Sequence, residues 1–326
     1  MIMPIVFLTV IGIAIYVLPI LLTNLRVDEN QAPLYGAANI TALCVYLTIM
    51  AIFIPLYEFS PLKSRRGADL YYSLPLDRKR LYTQFYLKGL IELSVSYLIV
   101  FILGLLSSLV KGYHFEYIYY LPLFFLLLIT MIGYYSFNVF LCIKNNRTID
   151  TAIIIVLYMI VPYIFMFALS VLFNKTSIAL SSGYAPVAMI NHIGVTFSRR
   201  IEALEIVTNQ LANHVYTGIW FIIGIFSFLS TLFVKTYNNP EDVQQKSNTW
   251  FGYKILIPMT LFSMIIGPAI LISTTNIISI VLSLVIAYVG YVIYERKFKI
   301  SAASLITLIS VGFLSTLLAL LQSMLS

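Results

Sequence analysis

The chain has 326 residues, 60% of them apolar and only 10% Asp, Glu, Lys or Arg, where soluble domains run at roughly 45–50% apolar and ~25% charged. So few charges exclude a domain whose whole surface faces water and leave lipid as the main solvent. The net charge of +7, from 20 basic and 13 acidic side chains, then reads as basic loops at a membrane face and not as a nucleic-acid footprint.

Backbone groups inside hydrocarbon find no water, so only helices or closed barrels can cross it. Barrel strands alternate in polarity over about ten residues. The apolar runs here are about as long as a helix needs to cross ~30 Å at 1.5 Å per residue. An all-α polytopic membrane protein with nine spans follows: 2–24, 38–58, 89–110, 120–143, 151–173, 216–234, 255–273, 277–294 and 302–323. No basic residue precedes the first apolar stretch, and Met1 to Leu25 holds no small-residue cleavage pattern. The segment is therefore expected to stay as a span and not to be removed as a signal. The seventh and eighth spans are short and joined only by Thr274, Thr275 and Asn276, and Pro258, Gly267 and Pro268 are set to kink the seventh.

Orientation follows from the basic residues. With the amino terminus in the cytoplasm, outside loops hold only Arg26, Lys111, Lys175, Arg199 and Arg200, and the other fifteen of the 20 fall inside. A cell membrane location with a cytoplasmic amino terminus is the expectation. Two connections are long. Residues 60–88 form a basic cytoplasmic loop. Residues 174–215 form a nearly neutral external segment in which Ile201, Leu204, Val207, Leu211 and Val215 recur at helical spacing, as in an amphipathic helix on the membrane face or against neighbouring helices. Cys44 and Cys142 lie inside apolar runs, and His114, His192 and His214 stand apart from other ligand types. No metal site and no bound cofactor is expected.

The loop carries the chain's densest signal. Gly67 to Ser73 has the composition of a short helix presenting Leu70, Tyr71 and Leu74 on one side, closed at Leu74-Pro75 because proline disfavours helix before it. Asp77 then stands at a helix N-cap, ahead of Arg78 and the run into the third span. Tyrosines and leucines beside arginines suit a protein contact. They equally suit an interfacial aromatic belt with basic residues on anionic headgroups of the membrane lipid, and composition leaves both open.

Polar, uncharged side chains occur within spans: Tyr134, Tyr135, Ser136 and Asn138 in the fourth, Tyr158, Pro162 and Tyr163 in the fifth, with Gly104 and Ser108 giving a small-xxx-small spacing in the third. Helix packing accounts for them. A cleft for an amphipathic or hydrophobic substrate, with Tyr134, Tyr135, Asn138, Tyr158 and Tyr163 facing it, is the functional alternative. Glu58, Glu92, Asp150 and Glu295 all lie within about a turn of a cytoplasmic span end, which argues against proton coupling at mid-bilayer depth.

The stretch Ala68-Asp69-Leu70-Tyr71-Tyr72-Ser73-Leu74-Pro75, with Asp77, Arg78 and Lys88 beyond it, resembles the loop between the second and third helices of ABC-2-type permeases. It is similar to the Gram-positive subgroup that includes Ytr-type permeases and exporters of phenol-soluble modulins. Asp77 stands where many relatives have Ser or Thr, which keeps a capping residue in place. The resemblance implies that residues 68–75 with Asp77 and Arg78 form a coupling helix docking on an ATPase. It also implies a transmembrane domain over 1–240, accessory helices over 241–326, and a second permease subunit, identical or not. The sequence contains no G-x-x-x-x-G-K-[ST], so ATP and magnesium are expected on a separate chain. In this reading the protein is a transporter subunit and not itself an enzyme. The competing reading is a membrane enzyme or scaffold acting on lipid or cell-wall precursors without an ATPase.

Overall fold

A computed structural model describes residues 2–22, 37–73, 75, 77–111, 117–172, 203–233, 243, 245, 250–271 and 277–325. Among them every regular element is helical. Helix α1 runs Ile2–Gly12 and continues through a π-helical stretch, Ile13–Val17, into Leu18–Leu22. It is followed by α2 (Ala37–Phe59), α3 (Arg65–Tyr72), α4 (Arg78–Val110), α5 (Tyr117–Lys144) and α6 (Thr148–Leu172). Helices α7 (Ala203–Phe233), α8 (Tyr253–Leu271), α9 (Ile277–Glu295) and α10 (Ala302–Leu325) complete the chain.

Each of the nine expected spans overlaps one of these helices, and 2–24, 151–173, 216–234 and 255–273 extend one or two residues past the described helix ends. Seven helices are long and apolar enough to cross a membrane, while Thr217–Phe233 and Tyr253–Gly267 are shorter apolar helices. The architecture is that of an all-α polytopic membrane protein. The eighth span, expected to be short, meets the length as Ile278–Glu295. The segment expected to lie outside is described only from Ala203, where helix runs without a break into the sixth expected span. The amphipathic stretch is thus the first part of α7 and not a separate surface helix, while its Ile201 lies outside the described residues.

The chain divides into two compact units. One comprises Met1–Thr148 with Ala185–Gln245, the other Ile149–Tyr184 with Lys246–Ser326. In this division α6 groups with the C-terminal helices.

In the first unit α5 is central, packing mainly on α7 and α2, while α1 and α2 pack on α4. Small residues allow α5 and α7 to meet backbone to backbone. A methyl group at Gly133 would strike the carbonyl oxygen of Trp220, and one at Gly224 would lie 2.8 Å from the Cα of Gly133. Lipid tails are as apolar as leucine, so such close packing and interhelical hydrogen bonds must supply the association. Tyr16, in the π-helical stretch, is buried with its ring against Gly104, so the small-xxx-small spacing of the third span seats an aromatic ring. In the second unit Ile257, Leu261 and Ile265 of α8 pack with Ala287, Tyr291 and Tyr294 of α9. Glu295 closes the following turn, accepting hydrogen bonds from the Ser301 amide at 2.7 Å and the Ser304 hydroxyl at 2.6 Å.

Substituting Gly133→Leu forces α5 and α7 apart. We expect a loss of about 1–3 kcal/mol, as for other overpacked interiors, read as a lower thermal midpoint of the detergent-solubilised chain.

Candidate functional site

Residues 60–88 are a built structure at one end of the first unit. A 3-10 turn, Pro61–Lys63, leaves α2, and Ser64 turns the chain into α3. The Ser64 hydroxyl accepts from the Gly67 amide at 3.1 Å and donates to the Pro61 carbonyl at 2.9 Å. Gly67 is required there, since a methyl group would collide with that same carbonyl oxygen. Helix α3 therefore begins at Arg65, two residues before the start expected from sequence, because Ser64 supplies the cap. Asp77 caps α4 as its position predicts, its carboxylate accepting from the Lys79 amide at 3.4 Å.

Burial separates the two sides of α3. Ala68 is buried, while Leu70 is 61% exposed and Arg65, Arg66, Asp69 and Ser73 are exposed with it. Tyr71 and Tyr72 turn the other way. The Tyr71 ring meets Phe85 edge-on at 5.4 Å, and the Tyr72 hydroxyl is 2.8 Å from that of Tyr82. Arg78 lies over the Tyr72 ring at 5.5 Å, a cation–π contact that adds to the anchor. Phe59 completes the cluster against Tyr82 and Phe85. Leu70 and Tyr71 thus do not share a face, contrary to the sequence expectation, because the aromatic bodies of α4 draw both tyrosines inward. Pro75, Asp77 and Arg78 follow, with Pro75 and Asp77 exposed and Arg78 half-buried. Leu74 lies outside the described residues.

Behind this cluster is a charge group that sequence reading did not assemble. Lys88 binds the Glu58 carboxylate at 2.9 and 2.8 Å and lies 3.9 Å from Glu92. Both carboxylates are buried, Glu58 at 2% and Glu92 at 1% exposure. The Lys88–Glu92 spacing of four along a helix was a visible signal. Glu58 is thirty positions away and became a partner only when α2 and α4 packed.

The candidate substrate-facing residues separate. Tyr134, Tyr135 and Asn138 are fully buried in the first unit. Asn138 donates to the Ala51 carbonyl at 2.9 Å and Tyr135 to the Tyr86 carbonyl at 3.0 Å. Tyr86 and Ser136 share a hydrogen bond at 2.8 Å. These side chains act as braces between helices. Tyr158, buried, and Tyr163, half exposed, belong to α6 in the second unit. Cys44 and Cys142 are buried free thiols.

No family model, curated protein or solved structure matches the chain.

Replacing Lys88 with Met leaves two buried carboxylates without their ammonium. A fully buried pair loses about 3–5 kcal/mol when one partner is removed. The Lys88 side chain is 39% exposed, so we expect about 1–3 kcal/mol here. Thermal unfolding should show the fall for Lys88→Met and near-complete recovery for Lys88→Arg.

Proposed function

We propose that the chain is the membrane-spanning permease subunit of an ABC exporter, resident in the cell membrane with its amino terminus and the 60–88 loop in the cytoplasm. ATP and magnesium are handled by a separate P-loop ATPase, and a second permease subunit, identical or related, completes the membrane channel. The cargo is an amphipathic or hydrophobic molecule, a peptide or a lipid-like compound, since the polar groups inside the described spans are mostly uncharged. All nine apolar helices cross the membrane in this reading, placing the carboxyl terminus outside.

One observation carries the reading: α3 is fastened on one side and offered on the other. Ser64, Gly67, Tyr71 and Tyr72 fix its pose, yet Leu70 projects among Arg65, Arg66 and Asp69 with no cover among the described residues of the first unit. A short helix serving only as a turn does not need an exposed leucine ringed by charges. One that transmits force to a partner needs both the rigid seat and the open face. The resemblance of residues 68–75 to coupling helices of ABC-2-type permeases points the same way.

The test has two parts. An impermeant maleimide applied to intact cells should fail to label Leu70→Cys and should label it after permeabilisation, with low background because Cys44 and Cys142 are buried. Labelling from outside overturns the orientation and the reading with it. The double variant Leu70→Asp, Arg66→Glu should weaken co-purification with a candidate P-loop ATPase by about tenfold or more, as when a central contact is lost, and leave the thermal midpoint unchanged. Assembly and ATP turnover equal to the parent would defeat the proposal.

A further inference from the structure

At the same end of the first unit, α1, α2 and α4 enclose a cleft of about 350 Å³. Its walls are apolar, formed by Met3, Phe7 and Leu8 of α1 and by Phe53 and Tyr57 of α2. Glu92 of α4 is the one acidic residue among those that line it. Met3, Phe7, Phe53 and Tyr57 are substantially exposed, so the cleft opens on the outer face of these helices.

Glu92 is unusual for a wall of this kind. It is 1% exposed, and its Oε1 makes no hydrogen bond among the described residues. Lys88 is engaged with Glu58 at 2.8 Å and stays 3.9 Å from Glu92. Two carboxylates therefore share one side-chain ammonium, and the one left less satisfied lines the apolar cleft. The other positive charge acting on Glu92 is that of the amino terminus, itself an ammonium. A buried carboxylate is strongly disfavoured without a charged or hydrogen-bonding partner, and an ammonium offers both.

We propose that this cleft binds a single-chain amphiphile bearing a primary ammonium, with the ammonium on Glu92 and the alkyl chain against Phe7 and Phe53. Charge complementarity selects the head: an anionic head would repel Glu92, and a neutral one would bring no charge-assisted partner to a carboxylate whose ion pair with Lys88 is 3.9 Å long. Volume selects the tail, since 350 Å³ is near the low end of small-ligand sites and suits one chain better than two. The site needs no ATPase, so it stands or falls separately from the permease reading.

The test uses the full chain in phosphatidylcholine nanodiscs, with empty nanodiscs as the partition control. The probe is a dansyl-tagged alkylammonium, competed with dodecylammonium, dodecanol or dodecyl sulfate. Saturable binding is expected, displaced by dodecylammonium and not by the other two. Glu92→Gln should weaken it by about tenfold or more, the scale of one charge-assisted hydrogen bond. Met3→Trp narrows the mouth at a residue that is 86% exposed and should weaken it comparably. If Glu92→Gln does not fold, Met3→Trp carries the test. Displacement by dodecanol as effective as by dodecylammonium overturns the proposal, as does parental affinity in Met3→Trp or in a folded Glu92→Gln.

Discussion

Lys88 ties the end of α2 to α4 at a point ten residues beyond the start of α4, and the loop between them hangs from that tie. The carboxylate it holds, Glu58, is buried next to the last residue of α2. The aromatic cluster of Phe59, Tyr82 and Phe85 lies on the same side. A salt bridge of this kind adds little net stability over a hydrophobic pair of the same shape, because each charge loses its hydration. Its effect is on register. With Glu58 bound to Lys88, α2 and α4 cannot slide past one another by a turn without exposing a bare carboxylate to apolar surroundings. The seat of α3, which depends on Tyr71 meeting Phe85 and Tyr72 meeting Tyr82, is fixed by that register.

Tyr135 and Asn138 of α5 follow the same logic deeper in the first unit. Each directs a polar atom at a backbone carbonyl of a neighbouring helix, where no water competes. Such bonds are modest individually in membranes, yet they are directional, and α5, held to α2 by Asn138 and to α4 by Tyr135, has one rotation that satisfies both. Gly133 and Gly224 add a steric constraint on the α5–α7 contact. Polar groups inside these spans therefore specify packing first. This is why a cluster of tyrosines and an asparagine in a span does not by itself mark a substrate path.

What could be read from the sequence divides by the range of the interaction. Apolar helices were legible because hydropathy and length act within one segment. Asp77 was legible because a cap depends on the next two residues. Ser64 has the same local character, but Arg65 and Arg66 after it suit a basic loop as well as the first turn of a helix. The pairing of Glu58 with Lys88, and the turning of Tyr71 and Tyr72 onto α4, depend on how two helices pack, which no local pattern encodes. Placing α6 with the C-terminal helices is a property of the same kind. Its contacts include Phe165 with Phe262 at 5.2 Å between ring centres and Asp150 with Arg296 at 3.9 Å, residues about a hundred or more positions apart.

The length of α4 links these observations. Its 33 residues extend about 50 Å at 1.5 Å per residue, whereas a hydrocarbon core is only about 30 Å thick. The surplus is the polar first part, Arg78 to Lys88, which stands beyond the apolar run of the same helix. A displacement of α3 would act on Tyr82 and Phe85 in that part, and a continuous helix without proline passes it to Glu92 and the apolar segment as a rigid-body tilt. The Lys88 tie sits at the transition between the two parts, where a tilt of α4 would also pull on the end of α2. A single long helix crossing from a held surface element into the bundle thus gives the proposed transporter a mechanical route that needs no chain of rearranging side chains.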